Sequence, residues 1–225
     1  MGNVRILSTS DVSFYDRREA GRLLATALKH FKDQHPLILG IPRGGLVPAR
    51  EIAHTLHTDL DVILAHKLGA SGNQELAIGA VVEGGKTFVD EELLKAIGEG
   101  HRDVAEERLR QLKVIKERAA DYRKILPRVP VGDRVVIVVD DGVARGLTMK
   151  AALWALRQEG PAYLIAAAPV GSPESLHELS GYADEVICLY APEPFHAIGQ
   201  FYQNFCQVDD DEVMAILQEE RDRKR

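Results

Sequence analysis

Residues 135–148 read Val-Val-Ile-Val-Val-Asp-Asp-Gly-Val-Ala-Arg-Gly-Leu-Thr. Five consecutive β-branched residues do not alternate as a half-solvated strand would, which predicts a central strand of a parallel sheet covered on both faces. Asp140 and Asp141 follow at its carboxyl end, where open α/β sheets hold their ligands. A short loop with Gly142 and Gly146 comes next, and Thr148 opens an apolar-periodic helix from Met149 to Arg157. Backbone N–H groups from Val143 to Thr148 would converge at that helix start, where unpaired donors and the helix dipole favour a phosphate. The carboxylates would accept hydrogen bonds from a sugar diol, so one loop could grip both ends of a ribose phosphate. An ordinary Asp-Asp-Gly turn without chemistry competes with this reading. The acidic pair of a receiver domain does not, because residues 161–169 supply no later phospho-acceptor Asp.

With 225 residues, 45% of them hydrophobic, the chain fits one large α/β domain over residues 1–225. A formal net charge of −6 without a Lys/Arg cluster argues against nucleic acid or an anionic membrane as the partner. No signal-peptide pattern or bilayer-length apolar run is visible, so the expectation is a soluble cytoplasmic protein. Cys188 and Cys206 are too few for a disulfide framework or a zinc site.

Outward from the central stretch, residues up to about Ser13 suit a short strand or arm, and Asp16 suits the N-cap of a helix to about Phe31, with Ala20, Leu23, Leu24, Ala27 and Leu28 facing the sheet. Leu37 to Ile41 is a short apolar run entering Pro42-Arg43-Gly44-Gly45, with a helix from about Leu46 to Leu56. Paired glycines allow close backbone approach to an anionic oxygen, and Arg43 adds charge, although a plain turn reads equally well from this segment alone. Asp61 to Ala65 reads as a strand, and residues 66–75 as a surface loop, with a mobile hairpin without chemistry as the competing reading, carried by strands at Ala77–Val82 and Thr87–Val89. Glu91 to about Tyr122 reads as one charged helix with a stripe of Val104, Leu109, Leu112, Ile115 and Ala119. Further strands are expected at Ala162–Ala168 and Glu185–Leu189, and Asp209 to Glu212 reads as a helix start. Tyr190, Phe195, Phe201, Tyr202 and Phe205 suit either a satellite core or a pocket for a planar ring.

The apolar strand, Asp-Asp, four residues, Gly-x-Thr and helix resemble the phosphoribosyl pyrophosphate (PRPP) loop of type I phosphoribosyltransferases, with Arg145 standing where that family usually has Thr. No Gly-x-x-x-x-Gly-Lys-Ser/Thr occurs in the chain. Pro42-Arg43-Gly44-Gly45 resembles the family's pyrophosphate loop, with a cis peptide at Pro42–Arg43, and residues 66–75 resemble its lid. The similarity covers most of residues 36–170. It is nearest to the predicted bacterial phosphoribosyltransferases, which carry similar Pro-Arg-Gly-Gly, Asp-Asp-Gly-Val-Ala and Pro-Glu-Pro-Phe segments and have no defined acceptor.

The resemblance implies an α/β fold with a parallel doubly wound sheet, a helical insertion at about 91–125 and a small C-terminal hood at about 182–208. It implies transfer of ribose 5-phosphate from PRPP to a nitrogenous, planar-ring acceptor, with release of pyrophosphate. Asp140, Asp141, Lys67 and Glu75 would be catalytic. Val143, Ala144, Arg145, Gly146, Leu147 and Thr148 would bind the 5′-phosphate, and Pro42, Arg43, Gly44 and Gly45 the pyrophosphate. The aromatic stretch would give an acceptor pocket at Pro169, Phe195 and Tyr202. Mg²⁺ would be held mainly through PRPP, reaching Asp140 or Asp141 directly or through water. A homodimer stays open, as does a non-catalytic PRPP- or nucleotide-sensing regulator on the same fold.

Overall fold

The structure is a computed structural model describing residues 2–11, 13–98 and 100–224, with the side chains of residues 74, 75, 77, 101 and 103 excepted. The chain runs β1 (Asn3–Ser8), α1 (Arg17–Ala27), β2 (Leu37–Gly40), α2 (Leu46–Leu56), β3 (Leu60–Val62), β4 (Ala65–Ala70), β5 (Asn73–Val82), β6 (Thr87–Val89), α3 (Glu91–Ile97), α4 (His101–Ile125), β7 (Val135–Val139), α5 (Leu147–Arg157), β8 (Tyr163–Val170), α6 (Pro173–Leu179), β9 (Glu185–Tyr190) and α7 (Asp210–Arg223). Among the described residues, six parallel strands form the main sheet in the order β1-β9-β8-β7-β2-β3.

The β-branched run makes β7 a central strand, paired with β2 on one side and β8 on the other. Its side chains divide by the two-residue strand period. Ile137 and Val139 enter the core under α1, α2 and α7, with Leu24, Ile52 and Leu217. Val136 and Val138 enter the core under α5 and α6, with Leu153, Leu156 and Leu179. Burial of each such side chain contributes roughly 1.5–3 kcal/mol, so both faces of β7 help fix its place.

The helix after β2 and the helix after β7 cover opposite faces. The chain therefore reverses direction between these neighbouring strands, and the crevice beyond their carboxyl ends is a topological switch point. The loops at residues 41–45 and 140–146 both open there. They lean on each other: Ile41 N–H donates to Val139 O at 2.9 Å. A Cβ on Gly45 would lie 2.7 Å from the carbonyl oxygens of both Ile41 and Val139.

The short strand expected in the residues up to about Ser13 is present as β1, an edge strand paired with β9. Several other local expectations are corrected. Asp16 does cap α1, its carboxylate accepting from Glu19 N–H at 2.8 Å, but α-helical geometry ends at Ala27 and a 3-10 turn follows. Leu23 is 46% exposed rather than facing the sheet, and Leu109 is 65% exposed. The strand expected at 61–65 stops at Val62, and Ala65 starts β4 in a second, antiparallel sheet of order β4-β5-β6. Of the two readings of residues 66–75, the structure has the hairpin, with its turn at Ser71-Gly72. Pairing of β4 with β5 overrides the weak strand preference of a small-residue segment.

The single helix expected over 91–122 is two, since Gly98 ends α3 in the left-handed conformation at φ 72°. Residues 182–208, expected as a hood, include β9 of the main sheet, and the segment after Tyr190 is the longer part outside it. No helix among the described residues is long and apolar enough to cross a membrane.

Candidate functional site

Two cavities open at the switch point. One, of about 510 Å³, is lined by the loop from Gly142 to Thr148 with Lys67, Asp140, Met149 and Ile198. The other, of about 390 Å³, is lined by Ile41 to Gly44 with Ala65, His66, Lys67, Gly69, Gln111, Asp140 and Thr148. Asp140, Lys67 and Thr148 belong to both walls. The structure thus brings together the residues expected for the phosphate, the pyrophosphate and Lys67 around one carboxylate.

In the larger cavity the loop is built by outside contacts. Val143 N–H donates to Val170 O at 2.9 Å, so this amide is already used, and the convergence expected of residues 143–148 narrows to Ala144–Thr148. The Ala144 carbonyl accepts from the hydroxyls of Ser172 and Ser175 at 2.8 and 2.7 Å. Gly146 caps α5 at φ 68°, a left-handed conformation that favours glycine. The first-turn amides of α5 have no intrahelical acceptor and carry the positive end of its dipole. Arg145 is exposed at the rim of this cavity.

In the wall of the smaller cavity, the peptide between Pro42 and Arg43 is cis. Arg43 pairs with Asp210 at 3.7 Å, and Asp210 in turn meets Arg118 at 3.5 Å and the Tyr122 hydroxyl at 2.5 Å. Arg118 Nη1 contacts His66 Nε2 at 2.9 Å, and His66 Nδ1 contacts Gln111 Oε1 at 3.0 Å. Since Arg can only donate, His66 accepts at Nε2 and donates from Nδ1 to Gln111. Burial pushes the His66 pKa down, in keeping with a neutral ring. The charged insertion helix therefore forms a wall of the cavity through Gln111.

The acidic pair is asymmetric. Asp140 Oδ1 accepts from Asp141 N–H at 2.9 Å. Asp141 Oδ2 accepts from Arg17 Nε at 2.6 Å, and the guanidinium lies 3.7 Å over the Phe205 ring. Burial pushes the Asp140 carboxyl well above the usual range, and the Asp141 charge adds to it. Burial also raises Asp141, against the pull of Arg17. The donor set suits Mg²⁺ held largely by a ligand's phosphates, an ion that usually takes one or two protein carboxylates, and Asp140 supplies one facing both cavities.

Not every expected residue arrives. Tyr202 is 6% exposed, its ring against Phe14 and Phe205 at 5.3 and 4.9 Å, and its hydroxyl donates to Asp141 O at 2.6 Å. Phe195 packs on Phe201 at 4.9 Å, and Pro169 is buried within β8. These aromatics are satellite core, and the same segment reaches the larger cavity through Ile198 instead. The Glu75 side chain lies outside the described residues. Sequence reasoning missed Arg17, Gln111, Arg118 and Ile198. Arg17 left one signal: a cation in the first turn of α1 opposes the helix dipole and calls for an external anion.

Residues 14–204 match the sequence profile of the phosphoribosyl transferase domain. Two Mycobacterium tuberculosis proteins, from strains CDC 1551 and H37Rv and each named "Putative phosphoribosyl transferase", are 40% identical over 208 residues. The match covers 91% of this chain and 46% of theirs, so the chain spans about half the length of these curated relatives. A solved structure, TT1426 from Thermus thermophilus, is 44% identical with a TM-score of 0.81, over 92% of this chain and 99% of its own. The profile spans both strand-end loops and the solved relative shares nearly the whole fold; the chain belongs to the phosphoribosyl transferase domain family.

Proposed function

We propose that this chain is a phosphoribosyltransferase that moves ribose 5-phosphate from PRPP to a nitrogenous, planar-ring acceptor and releases pyrophosphate. The observation that carries the reading is the pair of cavities sharing Asp140, Lys67 and Thr148. A ligand with a sugar between two anionic ends fits that plan, and PRPP has both groups. The names of the M. tuberculosis relatives agree with a transferase.

The amides of Ala144 to Thr148 take the 5′-phosphate, with Arg145 folding over it as a charge-assisted donor. Asp140 accepts from the ribose hydroxyls. Arg43, with the backbone at Gly44 and Gly45, holds the pyrophosphate, and Lys67 bridges the two halves, Glu75 helping the hairpin to close. Bound Mg²⁺ supplies neutralisation of the departing pyrophosphate. An acceptor nitrogen entering past Ile198 then forms the new bond to the anomeric carbon as the bond to the pyrophosphate oxygen breaks and that oxygen keeps the electron pair. Carboxylate and phosphate charges favour the oxocarbenium-like transition state, so the chain's work is positioning, electrostatics and exclusion of water.

Calorimetry with PRPP and Mg²⁺, followed by a screen of nucleobases and small heterocycles for pyrophosphate release, tests this. Binding is expected, and Asp140→Asn should weaken it about 10- to 150-fold, the loss of one hydrogen bond to a charged group. No heat and no thermal shift at millimolar PRPP would sink the reading. Tight binding with no release from any acceptor would favour the PRPP-sensing regulator.

A further inference from the structure

We infer that the two adjacent carboxylates do different jobs: Asp140 alone faces the ligand, whereas Asp141 is a positioning residue, turned away from both cavities and locked by Arg17. The ligand half of this rests on the transferase reading above; the lock does not.

Asp140 contributes to both cavity walls, and Asp141 to neither. The Arg17–Asp141 pair is buried, its side chains 10% and 11% exposed. The Arg17 head is held from two sides: Nε by Asp141 at 2.6 Å, and, from the segment after β9, Nη1 by the Cys206 carbonyl at 2.8 Å and the guanidinium face by Phe205 at 3.7 Å. Asp141 is equally enclosed. Its carbonyl accepts from Tyr202, and its Oδ2 fills the space where a Gly44 side chain would stand, 2.1 Å from an added Cβ.

The lock reaches the ligand side through the backbone. Asp141 N–H holds Asp140 Oδ1 at 2.9 Å, which orients the Asp140 carboxylate in the wall that both cavities share. Helix α1, the segment after β9 and the pyrophosphate loop therefore meet at Asp141 and together aim Asp140. Turning Asp141 toward a ribose would strand a buried guanidinium, and an unpaired buried charge is strongly disfavoured.

The test is a double-mutant cycle read two ways, by thermal unfolding without ligand and by calorimetric affinity for ribose 5-phosphate well below the melting temperature. Arg17→Met and Asp141→Asn should each lower the melting temperature and weaken binding, because each leaves one buried charge alone. The double variant should recover most of the melting temperature and bind within about threefold of the parent, whereas Asp140→Asn should melt like the parent and bind at least ~10-fold more weakly. A double variant that melts normally yet binds as poorly as Asp140→Asn would show that Asp141 touches the ligand and overturn the inference. Additive melting shifts would overturn the lock. If the parent binds neither ribose 5-phosphate nor PRPP, the transferase reading and the ligand half fall together, while the melting cycle still decides the lock.

Discussion

Gly45 sits behind the smaller cavity, where an added Cβ would press on two carbonyl oxygens, those of Ile41 and Val139, while in the wall of that cavity His66 is reached by Arg118 and Gln111 at 2.9 and 3.0 Å. One wall of the site is backbone against backbone on a buried parallel sheet. The other is a small antiparallel sheet and an insertion helix, held by charges: Arg123 of α4 meets Glu83, just after β5, at 2.9 Å and reaches across to Asp61 on β3 of the parallel sheet at 2.5 Å. The first wall is set by packing around one enclosed ion pair, Arg17–Asp141. The second is set by electrostatics, so its position responds to the protonation and pairing of a few groups.

Asp61→Ala is the strongest way to break the contrast. Asp61 is fully buried, accepts from Val129 N–H at 2.9 Å and holds Arg123. Removing one partner of a buried pair costs about 3–5 kcal/mol, a fall of roughly 6–20 °C in melting temperature for a chain of this size. Adding Arg123→Met should return part of it. An Asp61→Ala protein that melts like the parent would show that packing alone holds the second wall.

His66 sharpens the contrast. Its pKa is depressed by burial, and Arg118 depresses it further, while Gln111 and Asp210 pull the other way. A histidine with a lowered folded-state pKa contributes stability that is present above the ordinary value near 6.5 and lost as pH falls below it, because the unfolded chain takes up the proton first. From about pH 7.5 down to 5.5, the protection of β4 amides relative to intrinsic exchange should therefore fall severalfold while that of β7 holds, and His66→Gln should remove the difference. An equal fall in both strands would erase the distinction between the walls.

Charge matters in the second wall because it is shielded from water, so a solvated pair elsewhere should matter least. Arg50 of α2 forks onto Glu219 of α7 at 2.8 and 2.6 Å, but Glu219 is half exposed. Arg50 lowers the Glu219 pKa by hydrogen bonding, so its contribution is present above the ordinary value of 4.5 and lost as pH falls through the lower folded value. Arg50→Met should cost about 0.2–1 kcal/mol at neutral pH, less in high salt and nothing in strong acid. A larger, salt-independent loss would mean that this pair too is effectively buried.

The same contrast explains what the sequence could reveal. β7 was legible because its period is uninterrupted: five apolar residues need two covered faces, and the acidic pair with the glycine turn then lands at the strand end. The Pro42–Gly45 loop was legible for a like reason. The extent of β4 was not, because Gly69 and Ala70 have little strand preference of their own and gain it from pairing with β5. Arg17 was harder still. Its partner lies 124 residues away, and only the folded chain brings the two together. The aromatic stretch misled because clustered rings suit a core and a pocket equally until their neighbours are known.

Asp140 follows a strand of the large sheet and Lys67 lies on a strand of the small one, yet both face the same two cavities. Any molecule gripped by both residues acts as a rivet between the sheets, and its binding free energy becomes resistance to their separation. Shortening that molecule at one end removes the rivet. A bound ligand split between the cavities would thus loosen its own enclosure, and departure would be coupled to cleavage by connectivity alone.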